Sequence, residues 1–414
     1  MTDTLTQPPA GGEGPLPEFP MPRSAGCPFA PPPAASALRS EQPVARVKLW
    51  DGSTPWLVTR YTDQRSLLAD PRVSADATLP GFPHVSPGLR EVAAHRRSFL
   101  TMDDPEHARI RRMVTGPFAV KRVEALRPDI QKITDDLIDT MLVGPAPVDL
   151  VRALALPLPS LVICRLLGVP YEDHDFFQQN SSIMVNNTSS VEDVSNANAA
   201  LTEYLDNLVT ARISDPGDDL LSELAVRIKA GELTSREAAT IGVLLLIAGH
   251  ETTANMIALG TVALLENPDQ LAALRETNDP KAVAKSVEEL LRYLTVVHNG
   301  RRRVALEDIK IGGETIHAGD GIIAFTGTGN WDAEIFSEPE RLDIGRDARR
   351  HIAFGFGVHQ CLGQPLARVE LQVVYSTLYR RIPSLRLATA VEELSFRHDG
   401  AVYSVRELPV TWTS

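Results

Sequence analysis

Apolar residues recur at helical spacing through the longest periodic stretch of the chain, Thr234 to Glu266. Thr234 and Glu237 have the spacing of a capping box, and Asn267-Pro268 supplies the stop. About 30 residues at 1.5 Å each predict a helix of roughly 45 Å, enough to cross a whole domain. A second helical pattern covers Lys281 to Leu294, and a third begins near Leu362 and continues to about Arg381. Between these lie short strand signals around Ile309–Ile311, Glu314–Ile316 and Gly321–Phe325. From Asp104 to about Ile213 the pattern is mostly helical, with breaks at Pro117, Pro157 to Pro159, and Gly168 to Pro170. Earlier, Val44–Leu49 and Trp56–Thr59 flank Asp51-Gly52, which predicts a hairpin.

The remaining stretches break periodicity. Residues 1–35 are crowded with Pro, Gly and Ala and read as a flexible arm docking near Phe29, with one large domain over 36–414. Ser74 to Gly88 is a long punctuated loop, the kind that serves as a lid or binding loop. Asn180 to Asn198 is polar and reads as a mobile helix–loop–helix connection. With many helices and short strands, the fold class is mainly α with small β-sheets.

Composition narrows the function. At 414 residues and 43% hydrophobic the chain can bury a large core, and its formal charge of −12 argues against a nucleic-acid or anionic-membrane partner over the whole surface. The most apolar window, Ile241 to Leu265, is broken by His250, Glu251, Thr252, Thr253 and Asn255, so it reads as a buried helix and not a membrane span. Cys27, Cys164 and Cys361 are far apart and odd in number, which is no disulfide framework and suggests a reducing cytoplasm. No basic start followed by an apolar run marks a signal peptide.

The most informative segment is Phe354-Gly355-Phe356-Gly357-Val358-His359-Gln360-Cys361-Leu362-Gly363. Its two glycines let the backbone turn sharply and approach a flat ligand. Cys361 falls where the following helix starts, and backbone N–H groups there favour thiolate. One cysteine alone would read as a buried thiol in a glycine-rich turn. A zinc reading of His359 and Cys361 is weak, because no second Cys/His pair stands at suitable spacing. The long helix carries Ala248-Gly249-His250-Glu251-Thr252-Thr253, an unfavourable insertion of glycine, acid and hydroxyl; Ala254 stands where a zinc protease would need its second histidine. Glu289 and Arg292 share a helix face, as do His107 and Arg111.

The cysteine segment resembles the ligand signature of cytochrome P450 enzymes, with every fixed position occupied. The resemblance runs from about Phe19 to the C-terminus and is strongest to soluble actinobacterial members. It implies one triangular, mainly helical domain holding haem b, with Cys361 as the axial iron ligand and Phe354, Gly355, His359 and Gly363 lining the cofactor. It implies a helix passing over the macrocycle at Ala248 and Gly249, made possible by the missing Cβ at Gly249, with Glu251 and Thr252 managing protons. His107 and Arg111 carry over as propionate ligands. So does Arg303, with Arg302 as the register alternative. Glu289–Arg292 implies a structural pair completed by Arg341. Arg109 and Arg112 point elsewhere, toward a positive patch for a redox partner or simply toward solvent.

The implied reaction hydroxylates or epoxidises a hydrophobic small molecule with dioxygen and two electrons. No nicotinamide or flavin fingerprint is present, so a ferredoxin with its reductase is the expected donor. Pocket walls are expected at Pro80 to Val92, Asn180 to Asn198, Leu244 to Ala248, Val296 to Asn299 and Ala401-Val402. A monomer in the cytoplasm is expected, its substrate a secondary metabolite, a sterol-like or macrolide-like compound, or a xenobiotic. A haem protein without turnover, a sensor or substrate-presenting module, is the alternative; it would need neither Glu251 nor Thr252. Gly329-Asn330-Trp331-Asp332 departs from the Ala-Asn-Arg-Asp usual in bacterial relatives, which puts any contact of that arginine in doubt.

Overall fold

The long helix starts where its cap residues dictate. Thr234 Oγ1 accepts from the Glu237 N–H at 3.1 Å, and the Glu237 carboxylate accepts the Thr234 N–H at 2.8 Å. In the computed structural model, which describes residues 15–24, 27–95, 98–185, 189–398 and 402–413, the helix spans Ser235–Leu265. Every residue from Thr253 to Leu264 is buried, as expected of a helix wrapped on all sides by others. Its partners are the helices Val191–Ser214, Pro157–Leu167 and Gln364–Arg381. By length and apolarity it could cross a membrane, but 72% of its most apolar window is buried inside the fold.

Around this axis the described residues form one mainly helical domain with small sheets. The principal sheet has five strands in the order Val44–Arg46, Trp56–Val58, Gly321–Ala324, Arg301–Ala305 and Val73–Ser74. The expected hairpin forms its edge, Val44 opposite Val58, with Gly52 at φ 82° in the turn. Arg301 to Val304 pair antiparallel with Gly321 to Ala324. In that register Arg301 and Arg303 point to one face and Arg302 to the other.

Two sequence expectations change. Pro157 and Pro159 do not interrupt a helix but open one, Pro157–Leu167, because the first turn has no use for the missing N–H. A π-helical stretch, Val151–Ala155, precedes it. Gly168, at φ 83°, then ends that helix in the left-handed conformation. Residues 15–24 and 27–35 are packed, not set apart as an arm. Phe19 and Met21 are buried, Phe19 N–H donates to Lys48 O at 2.9 Å, and the Arg23 guanidinium donates to the carbonyls of Phe29 and Thr295. Apolar residues at two-residue spacing bury this segment despite its prolines. The expected loop is present over residues 75–86, followed by the helix Pro87–His95, and the polar connection lies between the helices His174–Val185 and Val191–Ser214. Residues 186–188 and the first 14 lie outside the described residues.

Candidate active site

The cysteine segment is a closed turn. Gly355 and Gly357 take φ 73° and 76°, and a Cβ on Gly357 would lie 2.2 Å from the Leu68 carbonyl oxygen. No other residue fits there without displacing backbone. The Cys361 N–H donates to Phe354 O at 2.9 Å, which closes the loop. Gly363 caps the helix Gln364–Arg381, so Cys361 precedes the first turn instead of lying in it. The expectation of a lowered thiol pKa is corrected: burial raises it, outweighing the charge of Arg301, the Gly363 N–H, and the charges of Arg111 and Arg368. A metal ion would remove that proton on binding, since the ligand form is the thiolate.

Cationic side chains converge on this loop from two other elements. On the helix Glu106–Thr115, His107 is buried with Nδ1 3.0 Å from Asp104 Oδ1, and its Nε2 has no partner. Its ring lies 4.1 Å from that of His359. One turn on, Arg111 donates to Gln360 O at 2.6 Å. From the strand Arg301–Ala305, Arg301 donates to Ala353 O at 3.1 Å and Arg303 to Arg302 O at 2.8 Å. Among the described residues none of these three guanidinium groups pairs with a carboxylate.

Electrostatics records the crowding. Burial, then the neighbouring Arg303, His107 and Arg111, push the His359 pKa down to about 3. Burial followed by Arg301 takes Arg303 down to about 10. Buried cations without an anion are costly. Arg303 thus stands where expected, while Arg302 faces the Phe82 ring, 5.6 Å away, on the opposite side. Arg301 was missed; two-residue alternation would have placed it beside Arg303.

On the long helix, Ala248 is exposed and Thr252 half-buried although the residues around them are largely buried, so the face they share is open. Thr252 Oγ1 donates to Ala248 O at 2.8 Å, the bond a helical threonine makes by default. Glu251 is buried, and burial raises its pKa against the opposing field of Arg397. Gly249 needs a different explanation from the expected one: a Cβ there would meet Ile163 Cδ1 at 3.3 Å. Its smallness serves the packing of two helices, and Ala248 carries the open face. Among the expected pocket walls, Leu244 and Val297 are half-buried, and Tyr403 N–H donates to Val296 O at 2.7 Å, joining the two later segments. Ala401 lies outside the described residues.

Glu289 and Arg292 form a fully buried pair at 2.7 Å. The third member is Arg346, whose Nε lies 3.2 Å from Glu289 Oε1, and not Arg341. Arg341 contributes only its carbonyl to Arg292 and turns its side chain toward exposed Glu338. Trp331, in the unusual Gly329-Asn330-Trp331-Asp332 segment, stacks on Tyr293 at 5.1 Å and donates to its carbonyl, a packing role inside the core.

A cysteine loop, a cation cradle awaiting a dianion and a core helix with one open face describe a protein built around a flat, acidic cofactor. The matching family model, Cytochrome P450, covers residues 77–382, and the chain belongs to that family. It is therefore a haem-dependent monooxygenase, an oxidoreductase. Cytochrome P450 GfsF of Streptomyces halstedii is 57% identical over the whole of both chains. The crystal structure of GfsF matches with a TM-score of 0.92 over 96% of this chain and 100% of that one. Cytochrome P450 CYP105Q4 of Mycobacterium marinum is 56% identical, again over both full lengths. The mycinamicin VIII C21 methyl hydroxylase MycCI of Micromonospora griseorubida, solved with mycinamicin VIII bound, is 42% identical, with a TM-score of 0.90 over 96% of this chain and 100% of that one. The cradle fits the family's cofactor: the unpaired His107 Nε2 and the carboxylate-free Arg111, Arg301 and Arg303 suit two propionates.

Proposed function

We propose that the chain hydroxylates or epoxidises a bulky hydrophobic secondary metabolite, macrolide-like in size, using dioxygen and two electrons from a ferredoxin served by a ferredoxin reductase. Cys361 would hold the iron of haem b through its thiolate, and His107, Arg111 and Arg303, with Arg301 beside them, would bind its propionates. One observation carries this reading: the guanidinium groups of Arg111, Arg301 and Arg303, from a helix and a strand, meet beside Cys361 with no ion pair among the described residues, and His107, held by Asp104 at Nδ1, leaves its Nε2 without a partner.

When bound, the haem supplies the redox chemistry that activates dioxygen. The chain positions and protonates. Thr252 can exchange its helical bond for one to water or substrate-side oxygen, holding a proton at Oγ1. Glu251, whose pKa burial brings nearer neutrality, can release and regain a proton at its carboxyl. Ala248 and the half-buried apolar residues near it leave room for substrate at the helix face. A sensor or presenting module would need neither Glu251 nor Thr252. The relative MycCI, bound to mycinamicin VIII, supports a large substrate. The formal charge of −12 weighs against a nucleic-acid or anionic-membrane partner, and among the described residues the one helix apolar enough to cross a membrane is mostly buried inside the fold.

Reconstitution with a ferredoxin, its reductase and candidate macrolides tests the proposal. The expected product is heavier by one oxygen atom, in proportion to the electrons consumed. In Thr252→Ala, product per electron should fall by on the order of a hundredfold, the lower end of a general acid–base contribution. Ligands that bind yet never yield oxygenated product would overturn the enzyme reading, and undiminished yield in Thr252→Ala would remove that hydroxyl from the relay.

A further inference from the structure

Glu288 and Glu289 are neighbours in sequence but face different clusters, as successive residues on a helix must. Glu288 Oε1 accepts from Arg368 Nε at 2.6 Å, and its Oε2 accepts from Arg368 Nη2 at 3.1 Å. His351 Nε2 lies 3.1 Å from the same Oε2. His351 Nδ1 accepts the Ala353 N–H at 3.2 Å, which leaves Nε2 as the ring's donor toward Glu288. Burial pulls the Glu288 pKa up, but the hydrogen bonds from His351 and Arg368 carry it down to about 2. Glu288 and Arg368 therefore hold one negative and one positive charge.

This cluster grips the cysteine loop. The Phe354 ring has His351 at 5.7 Å and the Arg368 guanidinium carbon at 4.7 Å. Phe354 O accepts the Cys361 N–H. Ala353, bonded to His351, accepts from Arg301. The charge of Arg368 reaches the Cys361 sulfur and favours its anionic form. Glu288 and His351 are buried while Arg368 is 27% exposed, so solvent screens the pair in part and leaves an effect at the sulfur.

We infer that Glu288 and Arg368 are positioning residues that set the reduction potential of the iron through the charge balance beside Cys361. The inference rests on Cys361 being the axial ligand. Reduction adds a negative charge to the iron–sulfur unit, so a lone positive charge nearby favours the reduced state and a lone negative charge opposes it. The paired charges nearly cancel, which keeps the potential low and the sulfur strongly donating.

The test is the ferric/ferrous potential of haem-loaded variants, measured without substrate or turnover. Glu288→Gln leaves Arg368 unbalanced and should shift the ferrous/ferric ratio about tenfold upward, or ~59 mV for one electron. Arg368→Gln should shift it in the opposite direction. The double variant, and Arg368→Lys, should return to within about threefold of the parent. A purely structural role would move both single variants the same way and would not be rescued by removing the second charge. Parallel shifts, or two shifts below about twofold, would overturn the inference. The carbon-monoxide spectrum of the reduced protein keeps the two questions apart: a thiolate-type band throughout upholds the ligand, whereas its absence in the parent overturns the ligand assignment and this inference with it.

Discussion

The cysteine side and the lid side of the molecule are held together by different means. Around the cysteine loop, buried charged groups reach across long sequence separations: Arg292 donates to the carbonyls of Asn330 and Pro339, and Asn330 Oδ1 accepts the Ile352 N–H. Over residues 75–86 the longest separations are similar but the bonded groups are part-buried or exposed. Asp76 accepts from Thr78, the Ala75 N–H reaches Asp103, and the adjoining ion pair, Arg90 with Asp51, is exposed. A loop fixed by buried charge keeps one geometry, which suits a reaction common to a family. A loop held by part-exposed bonds can change shape with little cost to the core, which suits a wall that selects substrates.

The largest test of this contrast removes a buried charge. Arg292→Ala leaves Glu289 buried with only Arg346 beside it, and should cost about 3–5 kcal/mol in urea unfolding together with most of the bound haem. A loss below about 1 kcal/mol would mean the cysteine side is not organised by this network. The next test concerns Glu370, on the helix after the cysteine loop. It is buried, its Oε2 has no hydrogen-bond partner, and burial raises its pKa from 4.5 to about 8.

The sign follows from proton binding. Below about pH 4.5 the group is protonated in both states; between about 4.5 and 8 only the unfolded chain releases the proton, so stability falls as pH rises. Glu370→Gln should flatten that slope and be more stable than the parent at pH 8, by on the order of 2–4 kcal/mol. An unchanged slope between pH 5 and 8 would show that the carboxyl has a partner. The smallest effect belongs to the lid: Arg90→Ala, removing an exposed pair, should change the urea midpoint by no more than ~0.5 kcal/mol and leave haem content untouched. Loss of haem there would erase the distinction between the two sides.

What could be read from the residues follows the same division. The capping box, the hairpin and the cysteine loop were legible because local chemistry decides each: a threonine and glutamate three apart, a glycine turn, two glycines before a histidine and cysteine. Arg346 was not, because the choice between it and Arg341 depends on how a loop without regular structure folds back on Glu289. Arg301 became visible only once the strand register put it on the face of Arg303. The thiol of Cys361 was misjudged in direction because neighbouring N–H groups can be read from sequence, but burial cannot. The N-terminal segment was misread because proline content masks Phe19, Met21 and Arg23, each anchored by a distant part of the chain.

The account depends on a sulfur–iron bond from Cys361, and the carbon-monoxide difference spectrum of the reduced protein tests it most directly. The parent should show the red-shifted band of a thiolate-ligated haem, and Cys361→Ala should lose it whether or not haem remains bound. A variant that retains the band would contradict the assignment, and with it the role given to every residue of the cradle.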